Sequence, residues 1–247
     1  MSNRELNDWL QTEQGRYVTS WELERVNSMV SDVFGFNAFQ IGLPQLDFLA
    51  ENRIPLREKI GESDAPAPVG LYCDLPALPL ATGCADLVVL AHALEFHPHP
   101  HQLLREVERI LIAEGKIVII GFNPFSLWGV KRRFRRQSEE MQDEGGPWSG
   151  RYISLPRLKD WLALLGFEID RGHFGRYAPP FKDERWLKRL SWMEKAGDRW
   201  WPVAGGVYVI RAVKRVHGMR LIKPKWSPVR QGSKAFTPIA RKEPGNV

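Results

Sequence analysis

Two kinds of apolar period alternate along this chain. Leu87-Val88-Val89-Leu90-Ala91 and Ile117-Val118-Ile119-Ile120 are short, unbroken and rich in β-branched residues, the signature of strands buried on both faces. Between them Leu103, Leu104, Val107, Ile110 and Leu111 recur at the spacing of one helical face, and Arg105, Glu106, Glu108 and Arg109 are left for water. Gly115 follows, in the place of a helix stop. Strand, helix and strand predict a parallel βαβ unit over 85–120. Its ligand side lies at the carboxyl ends of the strands, at Ala91-His92-Ala93-Leu94-Glu95 and Gly121-Phe122-Asn123-Pro124.

The same reading extends in both directions. Helices are predicted over 3–13 and 20–34, the second opened by a Thr19-Ser20-Trp21-Glu22 capping box and stopped by Gly35. Residues 36–41 read as a first strand that ends in Gly42-Leu43-Pro44-Gln45. A helical stretch at 46–51, a strand within 54–61 and a short strand at 69–73 follow, with Asp74 at the last one's carboxyl end. Beyond the central unit, 126–136 is helical and 138–150 reads as a mobile loop. Ser154 caps a helix with Pro156 in its first turn, Leu158, Trp161, Leu162 and Leu165 inside, and Gly166 at its end. A strand over 167–172, a helix over 183–201 and a last strand over 207–213 complete the series. From about 217 onward no apolar period remains, and disorder is expected. The organisation is therefore a helical segment 1–35, an α/β domain 36–215 and a tail 216–247.

Composition changes little: 43% apolar and 26% charged residues suit a globular protein. Charge changes more. Residues 211–247 hold ten Lys and Arg against Glu243 alone, so the overall +6 divides into a basic tail and a body of net −3. Nucleic-acid contact through the tail and a merely solvated tail both fit that division. Cys73 and Cys84 form no CxxC, which excludes a disulfide framework or a zinc ribbon and points to the reducing cytoplasm. The N-terminus lacks the apolar core of a signal peptide, and the most apolar stretch, 116–130, is broken by Asn123-Pro124, so no membrane span is expected.

The series Cys73-Asp74-Leu75-Pro76, Ala85-Asp86-Leu87-Val88, Leu94-Glu95, Leu103-Leu104-Arg105-Glu106, Gly115 to Pro124 and Tyr152 to Leu158 resembles the class I methyltransferases dependent on S-adenosyl-L-methionine (SAM), in the type 11 branch. The run Gly121 to Gly129 is similar to a narrower bacterial YafS-like group. The resemblance covers about residues 1–215. It implies a Rossmann-like, mainly parallel sheet with helices on both faces and an antiparallel last strand. It also implies SAM as cofactor and a methyl acceptor, small or macromolecular, that the sequence does not identify.

Under that resemblance Gly42, Asp74, Leu75, Ala91 and His92 are the cofactor-binding candidates. Asp74 would meet the adenine amine beside Leu75, and Ala91-His92 the sulfonium end, with His92 lining the substrate mouth or satisfied within the core. Glu62 stands about where a ribose-binding carboxylate belongs. One departure is plain. The family's Gly-x-Gly-x-Gly loop is reduced to Gly42, and Leu43 and Pro44 add bulk where glycine lets backbone approach a ligand. A methyltransferase-fold protein without turnover, serving as a binding module, is therefore the alternative function. No residue presents itself as a general base. His97-Pro98-His99-Pro100-His101 has the residue type for zinc, but no Cys or carboxylate partner stands in register and no metal is assigned. Phe122-Asn123-Pro124-Phe125 reads as a strand-ending turn, and 186–200 as a helix whose Trp186, Leu190, Met193 and Trp200 stripe packs on the sheet.

Overall fold

The computed structural model describes residues 3–63, 65, 68–137, 146–179, 189 and 192–216. Seven strands are present among them: β1 (Asn37–Ile41), β2 (Leu56–Gly61), β3 (Leu71–Tyr72), β4 (Ala85–Ala91), β5 (Leu111–Phe122), β6 (Phe167–Gly175) and β7 (Val207–Lys214). They form one sheet in the order β3-β2-β1-β4-β5-β7-β6. Pairing is parallel from β3 through β5, and β7 runs antiparallel to both of its neighbours. The helices are α1 (Asn3–Leu10), α2 (Glu13–Val30), α3 (Ala93–Phe96), α4 (Pro100–Ile110), α5 (Leu127–Gln137), α6 (Leu155–Leu164) and α7 (Trp192–Trp200).

Strand alternation sorts the core into two layers. Leu87, Val89, Val118 and Val209 pack under α1 and α2 with Trp9, Val18, Val26 and Met29. Val88, Leu90, Ile117, Ile119 and Ile210 pack under α4 and α6 with Leu103, Leu104, Val107, Leu158 and Leu162. β4 and β5 thus bury side chains on both faces, as their unbroken apolar runs demand.

Several local expectations are corrected. Thr12, not Thr19, caps α2, its Oγ1 accepting from the Gly15 N–H at 3.2 Å. Thr19 lies inside the helix and donates to the Gly15 carbonyl. The helix ends at Val30 rather than at Gly35 because the buried Asn52 amide takes its last carbonyls, donating to Val30 O at 2.6 Å and Val33 O at 3.0 Å. The helix expected at 46–51 is a series of turns. There the buried Gln40 amide donates to the carbonyls of Gly42, Leu43 and Leu46 and accepts from Phe48 N. A side chain from β1 thereby replaces the helical ladder. Gly115 lies within β5, not at a helix end, and the irregularity there is a bulge beside Glu114, whose φ is +64°.

The helix expected over 183–201 is described only at 189 and 192–200, so Trp186 and Leu190 lie outside the described residues. Of the stripe's two described members, Met193 is half-buried while Trp200 is 70% exposed and does not pack on the sheet. Glu194 is the anchor instead, accepting from the N–H groups of Arg176 and Tyr177 and from the Tyr17 hydroxyl. The loop residues 138–145 and the tail from 217 also lie outside the described residues.

Arg211 of β7 is 3% exposed and ties the sheet to α2. It grips Asp170 with Nε at 3.0 Å and Nη2 at 2.6 Å, and donates to Asp32 and to the Met29 carbonyl through Nη1. Removing it leaves Asp170 without its cation, while Asp32 keeps Arg171 at 2.8 Å. Both carboxylates are partly open to water, so Arg211→Met should cost about 1–3 kcal/mol in chemical denaturation, the range for lost hydrogen bonds to a charged group.

Candidate active site

Strand register builds the site. Ile41 pairs with Ile60 and with Leu90, and Gly61 pairs with Tyr72. The carboxyl ends of β1 to β4 are therefore level, and Gly42, Glu62, Cys73-Asp74 and Ala91-His92 emerge along one edge. Gly42 turns there with φ +88°, and a Cβ on it would lie 2.3 Å from the Ala91 carbonyl oxygen. Only glycine allows β1 and β4 to end this close together.

The residues after Gly42 turn inward. Leu43 adopts φ +46° and is 3% exposed, packed in the α1–α2 layer of the core. Lys59 Nζ donates to the Pro44 carbonyl at 2.9 Å and closes the loop from β2. Leu43 is therefore a core residue, and cutting it back would empty the core rather than merely open the loop. Gln45 Oε1 is buried beside this turn and has no hydrogen-bond partner among the described residues.

The other candidates divide by exposure. Asp74 is exposed and its carboxylate has no partner among the described residues, so burial does not force one on it. Leu75 is 5% exposed, against β2 and α4. Glu62 is half-buried, with Oε1 3.8 Å from His97 Nε2.

His92 does not line an open mouth. It takes a left-handed turn at φ +52°, is 1% exposed, and stands between two carboxylates. Nδ1 is 2.6 Å from Glu95 Oε2, and Nε2 is 2.9 Å from Glu22 Oε1. Glu95 Oε1 also accepts from the Phe122 N–H at 2.5 Å, and the Phe122 ring lies 4.4 Å from the imidazole. The network thus joins α2, the end of β4 and the end of β5. Burial by itself would push the imidazole down, but Glu22 and Glu95 overrule it and hold it at about 10, so His92 is an imidazolium. Burial pushes the Glu95 carboxyl up, against the pull of His92 and the Phe122 N–H. Glu22 Oε2 is buried without a partner among the described residues.

Sequence reasoning missed Glu22 as part of this site. The signal was present: Val18, Glu22, Val26 and Met29 share one helical face, so a carboxylate stood in an apolar stripe. Asn123 forms the turn after β5, accepting from Phe125 N and donating to the Val203 and Gly205 carbonyls. His97 faces Glu62 while His101 packs on Trp161, and no cluster of three or more His, Cys, Asp or Glu able to hold a metal occurs among the described residues. No helix among the described residues is long and apolar enough to cross a membrane.

Residues 46–119 match the family model described as a methyltransferase domain. That match starts after the Gly42 turn and runs through β2, β3, β4 and most of β5. The uncharacterized protein YafS of Escherichia coli is 34% identical over 148 residues, covering 60% of this chain and 59% of that one, so the alignment spans about three-fifths of the relative's length. Among solved structures, a SAM-dependent methyltransferase from Thermotoga maritima, described as a possible histamine N-methyltransferase, superposes with TM-score 0.54 at 17% identity, over 81% of this chain and 97% of that one. A Haloferax volcanii chain, solved in complex with the Trm112 methyltransferase activator, gives 0.56 at 16% identity over 88% and 99%. The geranyl diphosphate C-methyltransferase of Streptomyces coelicolor, solved with geranyl diphosphate and S-adenosyl-L-homocysteine, gives 0.51 at 14% over 80% and 77%. At these identities the likeness is one of fold. Strand order, the antiparallel β7 and these superpositions give the chain the fold of the class I methyltransferases, and within it residues 46–119 match the methyltransferase domain model.

Proposed function

We propose that this protein binds SAM along the level carboxyl ends of β1 to β4 and directs its methyl group to an acceptor held beside β4 and β5. The observation that carries this reading is the register that brings Gly42, Glu62, Asp74 and Ala91 to one edge. Three acceptors on that edge suit the cofactor's donors. Gln45 Oε1, buried and unpartnered, suits an ammonium. Glu62 suits a pair of ribose hydroxyls, and the open Asp74 carboxylate suits an adenine amine beside Leu75. SAM, when bound, supplies a methyl group already activated on its sulfonium. The chain's part is to orient the two reactants and exclude water, which needs no general base of its own. Cys73 and Cys84 are free thiols, in keeping with a cytoplasmic setting.

Titration calorimetry with SAM tests the reading. Asp74→Ala should weaken binding by about 1–3 kcal/mol, the range for a hydrogen bond to a charged group, or roughly tenfold and more in Kd. Asp74→Asn keeps the size and offers a donor in place of the charge, so it should weaken binding as well. A second reading, a binding module without turnover, is favoured by Leu43, which fills the core where the family's loop is bare glycine. Wild-type protein that takes up no SAM at millimolar concentration would leave that second reading standing alone.

A further inference from the structure

A separate cavity of about 410 Å³ opens between the N-terminus of α4 and the N-terminus of α6, next to Leu94 after β4 and Pro124 after β5. Its volume is that of a small-molecule site. Its lining is one-sided in charge. His99, His101, Arg151 and Arg157 face it, and no acidic side chain among the described residues does. Among the described residues the Arg151 side chain has no hydrogen-bond or ion-pair partner, and Arg157 lies over the Trp161 ring, at 5.4 Å. His101 stands 3.8 Å from the same ring, ring centroid to ring centroid.

Two further features point the same way. Both helices aim their positive dipole ends at the cavity, and neither N-cap side chain, His99 or Ser154, makes a capping hydrogen bond. Tyr152 also lines the cavity. Its ring is held in place by stacking on Phe122 at 5.2 Å and by Arg132 at 4.6 Å.

We propose that this cavity binds a small molecule bearing an oxyanion, a phosphate ester or a carboxylate, held by Arg151 and Arg157 between the two helix ends. Guanidinium forks match the geometry of either group, and the helix termini add N–H donors and favourable dipoles. Trp161, braced by His101 and Arg157, supplies a flat wall for an organic remainder. Calling this ligand the methyl acceptor rests on the methyl-transfer reading above, whereas the anion site rests on the cavity alone.

Calorimetry of the full chain with phenyl phosphate, benzoate and neutral benzamide tests it. Phenyl phosphate or benzoate should bind one to one, more weakly as salt is raised, and the tighter of the two identifies the preferred head group. Arg151 and Arg157 are exposed, so Arg151→Gln and Arg157→Gln should keep the wild-type melting temperature while each lowers the affinity about tenfold, the loss of one charge-assisted contact. Benzamide binding as tightly as the anions, affinities unchanged in both arginine variants, or no saturable anion binding at all would overturn the proposal. The SAM titration separates the two readings: a chain that takes phenyl phosphate but not SAM removes methyl transfer and leaves the anion site.

Discussion

Replacing His92 with leucine is expected to destabilise the domain by about 3–5 kcal/mol at neutral pH, because it removes the cation from a buried network and leaves the anions. Glu22 and Glu95 would face each other across a dry cavity, with only the Phe122 N–H to offset them. At about 2–4 °C per kcal/mol for a domain of this size, the melting temperature should fall by about 10 °C. The pH dependence gives a second reading of the same network. The folded-state value of His92, about 10, lies above its ordinary 6.5. Its contribution is therefore complete below 6.5 and is lost as pH climbs through 10. The Glu95 carboxyl, also raised, acts with the same sign. Urea midpoints of the wild type should decline across that window, and those of His92→Leu should decline less. A wild-type midpoint that stays level from pH 6.5 to 10 would mean that His92 is neutral in the fold.

Gly42→Ala carries the next largest effect, with Gly83→Ala as its control. Both glycines have positive φ, +88° and +64°, so both substitutions carry the backbone penalty of about 1–2 kcal/mol. A Cβ at Gly83 meets nothing within 4 Å, whereas one at Gly42 meets the Ala91 carbonyl oxygen at 2.3 Å. Neither backbone can yield without parting Ile41 from Leu90, which are paired in the sheet. Gly42→Ala should thus exceed Gly83→Ala by about 1–3 kcal/mol, the overpacking range. It should also weaken SAM binding more than tenfold, while Gly83→Ala leaves it unchanged. Equal stability losses in the two variants would show that the close approach of β1 and β4 is not maintained in solution.

The strands were legible where burial alone dictates sequence. β4 and β5 are covered on both faces, and no polar alternation obscures their apolar runs. The antiparallel direction of β7 came from the family resemblance; Val207 to Val213 carries no mark of direction by itself. The failures share a cause, side chains that act over long sequence distances. Gln40 cancels a helix that the 46–51 segment would otherwise suit, and Asn52 ends α2 from 22 residues away. Glu22 follows Thr19 at capping-box spacing, but its partner is His92, 70 residues on. In the site itself, Gly42 was legible from its type. The inward turn of Leu43 and the ion network around His92 were not, because both depend on which face of α2 meets the sheet.

Ultraviolet crosslinking of tritium-labelled SAM, followed by peptide mapping, tests the central claim most directly. The label should be competed away by S-adenosyl-L-homocysteine and should fall in peptides covering 40–62 and 74–95, the segments that contain Gly42, Gln45, Glu62, Asp74, Ala91 and His92. Label that homocysteine competitor does not displace, or label confined to peptides away from the carboxyl ends of β1 to β4, would contradict it.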